Sequence, residues 1–200
     1  MSALLAISPI DGRYYDKTKE ISEYFSEFAL IKYRVHVEIE YLIKLVQLDE
    51  VDAITFSADQ VADLRKVVFK FDLSDAEKIK STEKITNHDV KAVEYFVKDQ
   101  LDRLGLSDYK EYVHLGLTSQ DINNTAIPYS ILLASKEVYL PLLARLIDKI
   151  DQLTKDWKSI SMLACTHVQP ASPTRLVKEF KVFQECLDQH LQALRNYPIP

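Results

Sequence analysis

The sequence predicts an all-α protein, and the prediction depends on its glycine and proline content and on its apolar periodicity. Only three glycines occur in 200 residues, and no proline lies between Pro9 and Pro128. Glycine and proline are the main interruptions of regular structure, so their scarcity favours long helices over folds built from many short strands. Apolar residues recur at three- and four-residue steps along most of the chain, which places them on one face of each helix.

The same pattern sets the expected order of elements. Ser57 with Gln60 resembles a capping box that opens a helix, Gly105 suits the residue after a helix end, and Pro128 and Pro141 are expected to kink or restart a long helix. We expect an N-terminal helical domain over 1–111 and the start of a bundle of long helices over 112–200. We expect an arm over 1–16, a connector over 105–118 and a loop over 160–173. Helices are expected at about 16–48, from 57, and at 74–84, 87–104 and 174–196, and the segment 121–159 is expected to be one very long helix or two abutting ones.

Composition argues against several classes of protein. The net charge is −5 with acidic and basic residues interspersed, so the basic surface of a nucleic-acid-binding protein is absent. Cys165 and Cys186 are too few and too far apart for a disulfide framework or a CxxC metal site, and two free thiols are expected. No apolar run approaches the ~20 residues of a membrane span, and the N-terminus is unlike a secretory signal. A cytoplasmic protein is therefore expected.

Three of the five histidines lie in polar connectors or at helix starts. They are His88, His114 and His167, each within four residues of threonine, serine, asparagine or aspartate. A single histidine is more often structural than catalytic, but three in such positions favour a site that transfers protons near neutral pH. His36 and His190 lie within helical patterns and are expected to be ordinary helix residues.

Two further positions could bind an anion. Thr118 and Ser119 precede a long helix, whose first N–H groups lack partners and attract a carboxylate or phosphate. The alternative is that Thr118 is only an N-cap and that Asp121 completes a capping box. Arg13 and Tyr14 follow a turn, where an arginine can bind phosphate, although a surface ion pair is an equally simple reading. No residues have metal-ligand spacing, and composition and spacing alone name no reaction.

Four segments carry a more specific signal. In order they are 8–14 (SPIDGRY), 85–96 (ITNHDVKAVEYF), 113–126 (VHLGLTSQDINNTA) and 166–174 (THVQPASPT). Together they resemble the adenylosuccinate lyase family of the fumarase/aspartase superfamily, and the resemblance covers essentially the whole chain. It implies a small N-terminal helical domain followed by the opening long helices of a fumarase/aspartase-type bundle.

The resemblance also implies a reaction, a β-elimination without a cofactor or a metal. A member of the family is a C–N lyase that cleaves adenylosuccinate to AMP and fumarate, and SAICAR to AICAR and fumarate, in purine biosynthesis. A base removes a proton from the carbon beside a carboxylate, donors stabilise the resulting aci-carboxylate, and a general acid protonates the departing nitrogen. The implied partners are a small succinyl-nucleotide substrate and three further copies in a homotetramer, with no nucleic acid and no membrane.

Site residues follow by motif match to the family. His167 takes the role of general acid, and His88 is the second catalytic histidine, which helps to orient His167 and contacts the substrate. His114 matches a pocket position in part of the family. The implied substrate-binding residues are Arg13, Tyr14, Asn87, His88, Asp89, Thr118, Ser119 and Gln169, with Arg13 and Tyr14 at the nucleotide phosphate and Thr118 and Ser119 at the fumaryl carboxylate.

The sequence departs from the family pattern in two ways. Val168 stands where many members have glycine, which could crowd the backbone of that loop. The family's catalytic base, a serine on a mobile loop with the pattern SSxMPxKxN, has no counterpart, and neither does the third helical domain. We therefore expect the 200-residue chain to be inactive by itself and to be part of a longer protein. Two alternatives stay open: another fumarate-releasing lyase of the superfamily, for example one acting on argininosuccinate, and a non-catalytic helical assembly module.

Overall fold

A computed structural model of the protein describes residues 6–48, 51 and 55–197. It confirms the predicted helical class and adds one small two-stranded sheet. The elements are α1 (Tyr15–Phe25), α2 (Glu27–Leu45), α3 (Ala58–Phe69), α4 (Leu73–Thr86), α5 (Asp89–Arg103), a 3₁₀ turn (Ser107–Tyr112), α6 (Ser119–Ala134), a π-helical turn (Ser135–Tyr139), α7 (Leu140–Asp156), β1 (Ser161–Thr166), β2 (Gln169–Arg175) and α8 (Leu176–Arg195).

The first predicted helix is divided into two. Ser26 is extended, with φ −75° and ψ 164°, and its hydroxyl accepts a hydrogen bond from the Ala29 N–H at 3.1 Å. It thus ends α1 and is the N-cap of α2, a position that serine favours because its oxygen satisfies a free N–H of the first turn. The prediction of one helix over about 16–48 is wrong at this residue.

Two predicted helix boundaries are confirmed. Ser57 and Gln60 form a reciprocal capping box, with the Gln60 N–H donating to the Ser57 hydroxyl at 3.2 Å and the Ser57 N–H donating to the Gln60 side chain at 2.8 Å. At the end of α5, Gly105 has φ +70°, and the Leu106 N–H reaches back to the Leu101 carbonyl at 2.8 Å. This is a Schellman ending, and it uses the left-handed conformation that glycine adopts without strain.

The chain divides into two compact units, 1–132 and 133–200. The first has α2 at its centre, packed against α1, α3, α4 and α5. The predicted domain boundary near residue 112 stays a prediction, because compact units in one chain need not coincide with domains of a longer protein. The buried apolar residues of the first unit include Ile31, Val35, Ile39, Leu42, Ile43, Val46, Leu64, Phe71, Ile79, Val93, Phe96, Val97 and Leu101.

The predicted long helix over 121–159 is interrupted by the π-helical turn. Pro128 lies inside α6 without ending it, whereas Pro141 stands at the start of α7, directly after the turn. Proline lacks an N–H and clashes with the preceding turn, so a widened turn before it relieves the helix. Because Ala134, Tyr139 and Leu140 all keep right-handed helical backbone, the turn before Pro141 widens the helix without restarting it, and a break at Pro128 is not found either.

The second unit is a pair of helices joined by a β-hairpin. α7 packs against α8 through a small cluster around Leu143, Ile147 and Leu191. Strands β1 and β2 are antiparallel, with Thr166 opposite Gln169 and an irregularity between Leu163 and Cys165. The predicted loop at 160–173 is therefore wrong, because most of that segment forms this hairpin. No helix in the described part of the chain is long and apolar enough to cross a membrane.

Candidate functional site

Left-handed backbone marks the segments that the sequence analysis selected. Among the described residues, those other than glycine with positive φ are Asn87 at 51°, His114 at 62°, His167 at 52° and Val168 at 65°. Three of them are predicted site residues and the fourth lies between His167 and Gln169. Such conformations cost of order 1 kcal/mol or more and tend to cluster at functional sites, so their placement supports these segments as candidates.

Arg13 and Tyr14 lie together at the start of α1. The turn before them is closed by the Gly12 N–H donating to the Ser8 carbonyl at 3.0 Å. The Arg13 guanidinium carbon lies 4.9 Å from the centre of the Tyr14 ring, and the Lys17 ammonium lies 6.0 Å from it. No ion pair of Arg13 is found within the described ranges, so the alternative of a surface salt bridge gains no support. Both side chains are exposed, and the cationic group keeps its donors for an anion.

Asn87 and His88 join α4 to α5. Asn87 ends α4 in the left-handed conformation, and the His88 Nδ1 accepts a hydrogen bond from the Lys91 N–H at 3.1 Å, so His88 is the N-cap of α5. An Asp89 carboxylate oxygen lies 3.9 Å from the same nitrogen, which is too far for a hydrogen bond. Because Nδ1 uses its lone pair for the cap, the neutral ring carries its proton on Nε2, and that N–H is available to a substrate.

Asp89 is held by a buried arginine. Its Oδ2 lies 2.7 Å from Arg34 Nη2, and its Oδ1 accepts from the Val90 N–H at 2.9 Å. Partial burial raises the pKa of Asp89, but the Val90 N–H and the Arg34 guanidinium outweigh that effect and hold the pKa below its ordinary value. The carboxylate is therefore charged at neutral pH.

The connector before α6 contacts α2 at two points. His114 Nδ1 lies 2.5 Å from Oε1 of the fully buried Glu38, and the Tyr41 hydroxyl donates to the Leu115 carbonyl at 2.8 Å. Burial raises the pKa of Glu38, and the hydrogen bond and charge of His114 act against that rise. His114 therefore has Nδ1 committed to Glu38 and only Nε2 left for another partner.

Thr118 is hydrogen-bonded to Asp121, which agrees in part with the alternative that these two residues form a capping box. Asp121 Oδ2 accepts from both the Thr118 N–H at 2.7 Å and the Thr118 hydroxyl at 2.8 Å. These two hydrogen bonds lower the pKa of Asp121. The threonine hydroxyl donates to the carboxylate instead of accepting from the helix, so the box is not reciprocal. The Ser119 hydroxyl makes no side-chain hydrogen bond within the described part of the chain, and it is the freer donor of the two.

His167 lies at the tip of the hairpin in the second unit. With Thr166 opposite Gln169, the two-residue turn consists of His167 and Val168, both with positive φ, as a type I′ turn requires. Such turns favour asparagine and glycine, and a β-branched valine is strained there. His167 and Gln169 are exposed, so the fold presents the imidazole on a tight turn without a partner among the described residues.

The structure thus connects two of the predicted segments in the first unit. Arg34 bonds Asp89 and also donates from Nε to Asn123 Oδ1 at 2.9 Å, so it links the start of α5 to α6. The sequence analysis missed Arg34, Glu38 and Asn123. The available signal was that Arg34 and Glu38 occur one turn apart within the apolar stripe of α2, where a charged residue requires a buried partner.

No group of three or more histidine, cysteine, aspartate or glutamate residues in the described ranges could hold a metal ion. Cys165 and Cys186 are free and exposed. The chemical capacity of these segments is that of imidazoles, hydroxyls and fixed carboxylates, which suits proton transfer and the binding of an anionic substrate.

Comparison with known proteins identifies relatives of the whole chain. The sequence model of a family described as "Lyase" matches residues 12–198. Adenylosuccinate lyase of Dictyostelium discoideum is 50% identical over 98% of this chain and 43% of its own length, and that of Escherichia coli strain K12 is 43% identical over 100% and 44%. The chain therefore spans less than half the length of these curated relatives, and the resemblance seen in the four segments is confirmed.

Solved structures agree on the fold. β-Carboxy-cis,cis-muconate cycloisomerase from Acinetobacter calcoaceticus sp. ADP1 superposes with a TM-score of 0.66 at 19% identity, over 88% of this chain and 40% of that one. A fumarate lyase from Mesorhizobium sp. BNC1 gives the same TM-score at 20% identity, over 88% and 39%. At this identity both show the fold alone.

Proposed function

The chain belongs to the lyase family, and we propose that it is the N-terminal part of an adenylosuccinate lyase. The full-length protein would release fumarate from adenylosuccinate to give AMP, and from SAICAR to give AICAR. The observation that carries the proposal is the similarity of the entire chain to adenylosuccinate lyases, at 50% identity over 98% of its residues for one of them. The four predicted site segments lie within that region of similarity.

Different segments would carry different parts of the elimination. Elimination needs a base at the carbon beside a carboxylate, donors for the charge that develops on the carboxylate, and an acid for the departing nitrogen. His167 supplies the acid, and its exposed place on a tight turn supports that role. His88 contacts the substrate through its Nε2–H, since Nδ1 is used by the helix cap. The base, a serine in this family, would come from outside these 200 residues, so we expect the chain alone to be inactive.

Substrate binding is the second part of the proposal. Ser119 and Thr118 would hold the fumaryl carboxylate at the first turn of α6, where unpaired N–H groups favour an anion. Thr118 already donates to Asp121, so Ser119 would make the larger contribution. Arg13 with Tyr14 would bind the nucleotide phosphate, and Asn87, Asp89 and Gln169 would complete the pocket.

Assembly as a homotetramer is the third part. It is supported by the exposed apolar side chains of the second unit, because soluble proteins seldom leave many such residues uncovered. Its exposed large residues on the π-helical turn, α7 and α8 include Tyr139, Leu142, Leu146, Val182, Phe183 and Leu194.

The test is a substrate panel with the full-length protein. Fumarate formation is followed by its ultraviolet absorbance with adenylosuccinate, SAICAR and argininosuccinate in turn. The proposal expects turnover of the first two and none of the third. Turnover of argininosuccinate alone would assign another lyase of the superfamily, and no turnover of any substrate would favour a non-catalytic assembly module.

A further inference from the structure

Two charged side chains lie on the buried face of the central helix α2. Arg34 is 8% exposed and Glu38 is 0% exposed, and they are one helical turn apart. Burial of a charge is costly unless the group is paired and hydrogen-bonded, so each of these residues depends on its partners. The partners lie in the segments that the proposed function assigns to the substrate.

Arg34 connects two of these segments with separate nitrogens. Nη2 pairs with Asp89 Oδ2 at 2.7 Å, and Nε donates to Asn123 Oδ1 at 2.9 Å. Asp89 follows His88 directly, and Asn123 lies one turn after Ser119 in α6. The planar guanidinium has its donors at fixed angles, so the two contacts set the position of the start of α5 relative to the first turns of α6.

Glu38 holds the connector that leads into α6. Its Oε1 contacts His114 Nδ1 at 2.5 Å, and its Oε2 has no partner in the described part of the chain. The connector has left-handed backbone at His114 and Gly116, with φ of 62° and 77°. Glycine adopts this conformation without strain, but at His114 it persists only where surrounding contacts impose it, and the contact to Glu38 is one of them.

We propose that Arg34 and Glu38 are positioning residues for the substrate site: they act through Asp89, Asn123 and His114 to place the 86–89 and 113–119 segments. This inference rests on the proposed function, in which those segments bind the substrate. Neither residue is assigned to contact substrate. Their charge surroundings also include Glu94 and Lys91 on α5, which interact electrostatically with Glu38, and Asp121 on α6, which interacts with His114.

The simpler reading is that both residues only stabilise the fold. A loss of stability lowers the amount of active enzyme, and hence the apparent kcat, while KM is unchanged. A loss of positioning changes the binding site itself and raises KM. KM is therefore the readout that separates positioning from stability.

Conservative variants test the two contacts separately. Arg34→Lys keeps the positive charge, but a lysine ammonium is a single point of contact and cannot reproduce the two-pronged geometry. Glu38→Gln keeps the size and an acceptor for the His114 N–H but removes the charge. The matched controls are Arg65→Lys and Glu40→Gln, because Arg65 and Glu40 form a bidentate pair at 2.7 and 2.8 Å in which both side chains are more exposed than Arg34 and Glu38.

The experiment uses the full-length protein with adenylosuccinate as substrate, together with hydrogen–deuterium exchange read peptide by peptide. For Arg34→Lys we expect KM to rise at least about fivefold and kcat/KM to fall at least about tenfold, since misplacement of a site by about 1 Å can cost up to 10²-fold. Exchange should quicken in peptides covering 86–92 and 119–125. For Glu38→Gln, exchange should quicken in the peptide covering 113–118 and stay unchanged in the peptide covering 86–92. Both controls should stay within about twofold of wild type in KM and kcat/KM.

The outcomes separate this inference from the proposed function. If the full-length wild type releases no fumarate, the proposed function fails. Hydrogen–deuterium exchange alone then tests the positioning claim, and variants whose 86–92, 113–118 and 119–125 peptides exchange at the wild-type rate would overturn it. If the wild type is active, an unchanged KM in Arg34→Lys, or an equal loss in Arg65→Lys, would overturn it. Should Arg34→Lys fail to fold, the exchange and KM of Glu38→Gln decide whether the positioning claim holds. Faster exchange spread evenly over the first unit would overturn it and assign both residues to stability alone.

Discussion

In the proposed function His88 has two roles, capping a helix and contacting the substrate, and substitutions can separate them. Its Nδ1 caps α5 through a hydrogen bond of 3.1 Å from the Lys91 N–H, while Nε2 is left for the substrate. His88→Ala removes both roles. Asparagine is a strong N-cap, so His88→Asn keeps the cap and removes only the imidazole. A cap contributes about 0.5–2 kcal/mol to the free energy of unfolding. Because the His88 side chain is 51% exposed, we expect the lower half of that range, about 1 kcal/mol.

The assay compares thermal unfolding and turnover in the full-length protein at one protein concentration. One kcal/mol shifts Tm by about 2–4 °C in a chain of roughly 150–250 residues and by less in a longer one, so His88→Ala should lower the Tm of the full-length protein by about 1–2 °C. His88→Asn should melt within about 0.5 °C of wild type. Both variants should lose about 10²-fold or more in kcat/KM for adenylosuccinate. A His88→Asn protein with wild-type turnover, or one that melts as low as His88→Ala, would refute this reading.

Three further predictions concern other residues of the site. His167→Ala should lower kcat at least about 10²-fold, as expected for a lost general acid, while the control His190→Ala in α8 leaves kcat unchanged; equal losses would remove His167 from the mechanism. Val168→Gly relieves left-handed strain of about 1–2 kcal/mol against a glycine entropy cost of about 0.5–1 kcal/mol, so exchange of the 161–175 peptide should slow about two- to fivefold, and faster exchange would contradict the strain. The pKa of Asp89 lies below its ordinary value of 3.8, so its stabilising contribution is present above that value and is lost as pH falls through the folded-state pKa. The Tm difference between wild type and Asp89→Asn should therefore be full at pH 7, begin to shrink only near pH 3.8 and go on shrinking as pH falls further, and a difference that grows in acid would contradict the assignment.

Local signals predicted most of the helices. The Ser57 capping box and the Gly105 ending depend on residues within a few positions of each other, and the structure has both. The break at Ser26 was missed because the apolar periodicity continues through it, and a single serine is a weak signal inside a strong pattern.

The hairpin could not be predicted from its residues. Its turn, His167 and Val168, requires positive φ at both positions, yet neither residue favours that conformation. Pro170 and Pro173 argue against a strand in β2, since proline lacks the N–H that pairing uses. The segment was recognisable only by its resemblance to a family, which indicates a function and says little about the local backbone.

The candidate site shows the same limit at longer range. The segments around His88, His114 and His167 were predicted from residue type and motif, because those signals are contiguous in sequence. The contacts of Arg34 with Asn123 and of Glu38 with His114 join residues 89 and 76 positions apart. No local pattern encodes such pairs, and only the fold of α2 against α5 and the connector brings them together.

The most direct measurement is the product stoichiometry of the full-length wild-type protein with adenylosuccinate in a buffer without added cofactor. We expect AMP and fumarate to appear in equal amounts, at a rate proportional to protein concentration. AMP without fumarate, or no cleavage of adenylosuccinate at any protein concentration, would contradict the assignment of these residues to a fumarate-releasing elimination.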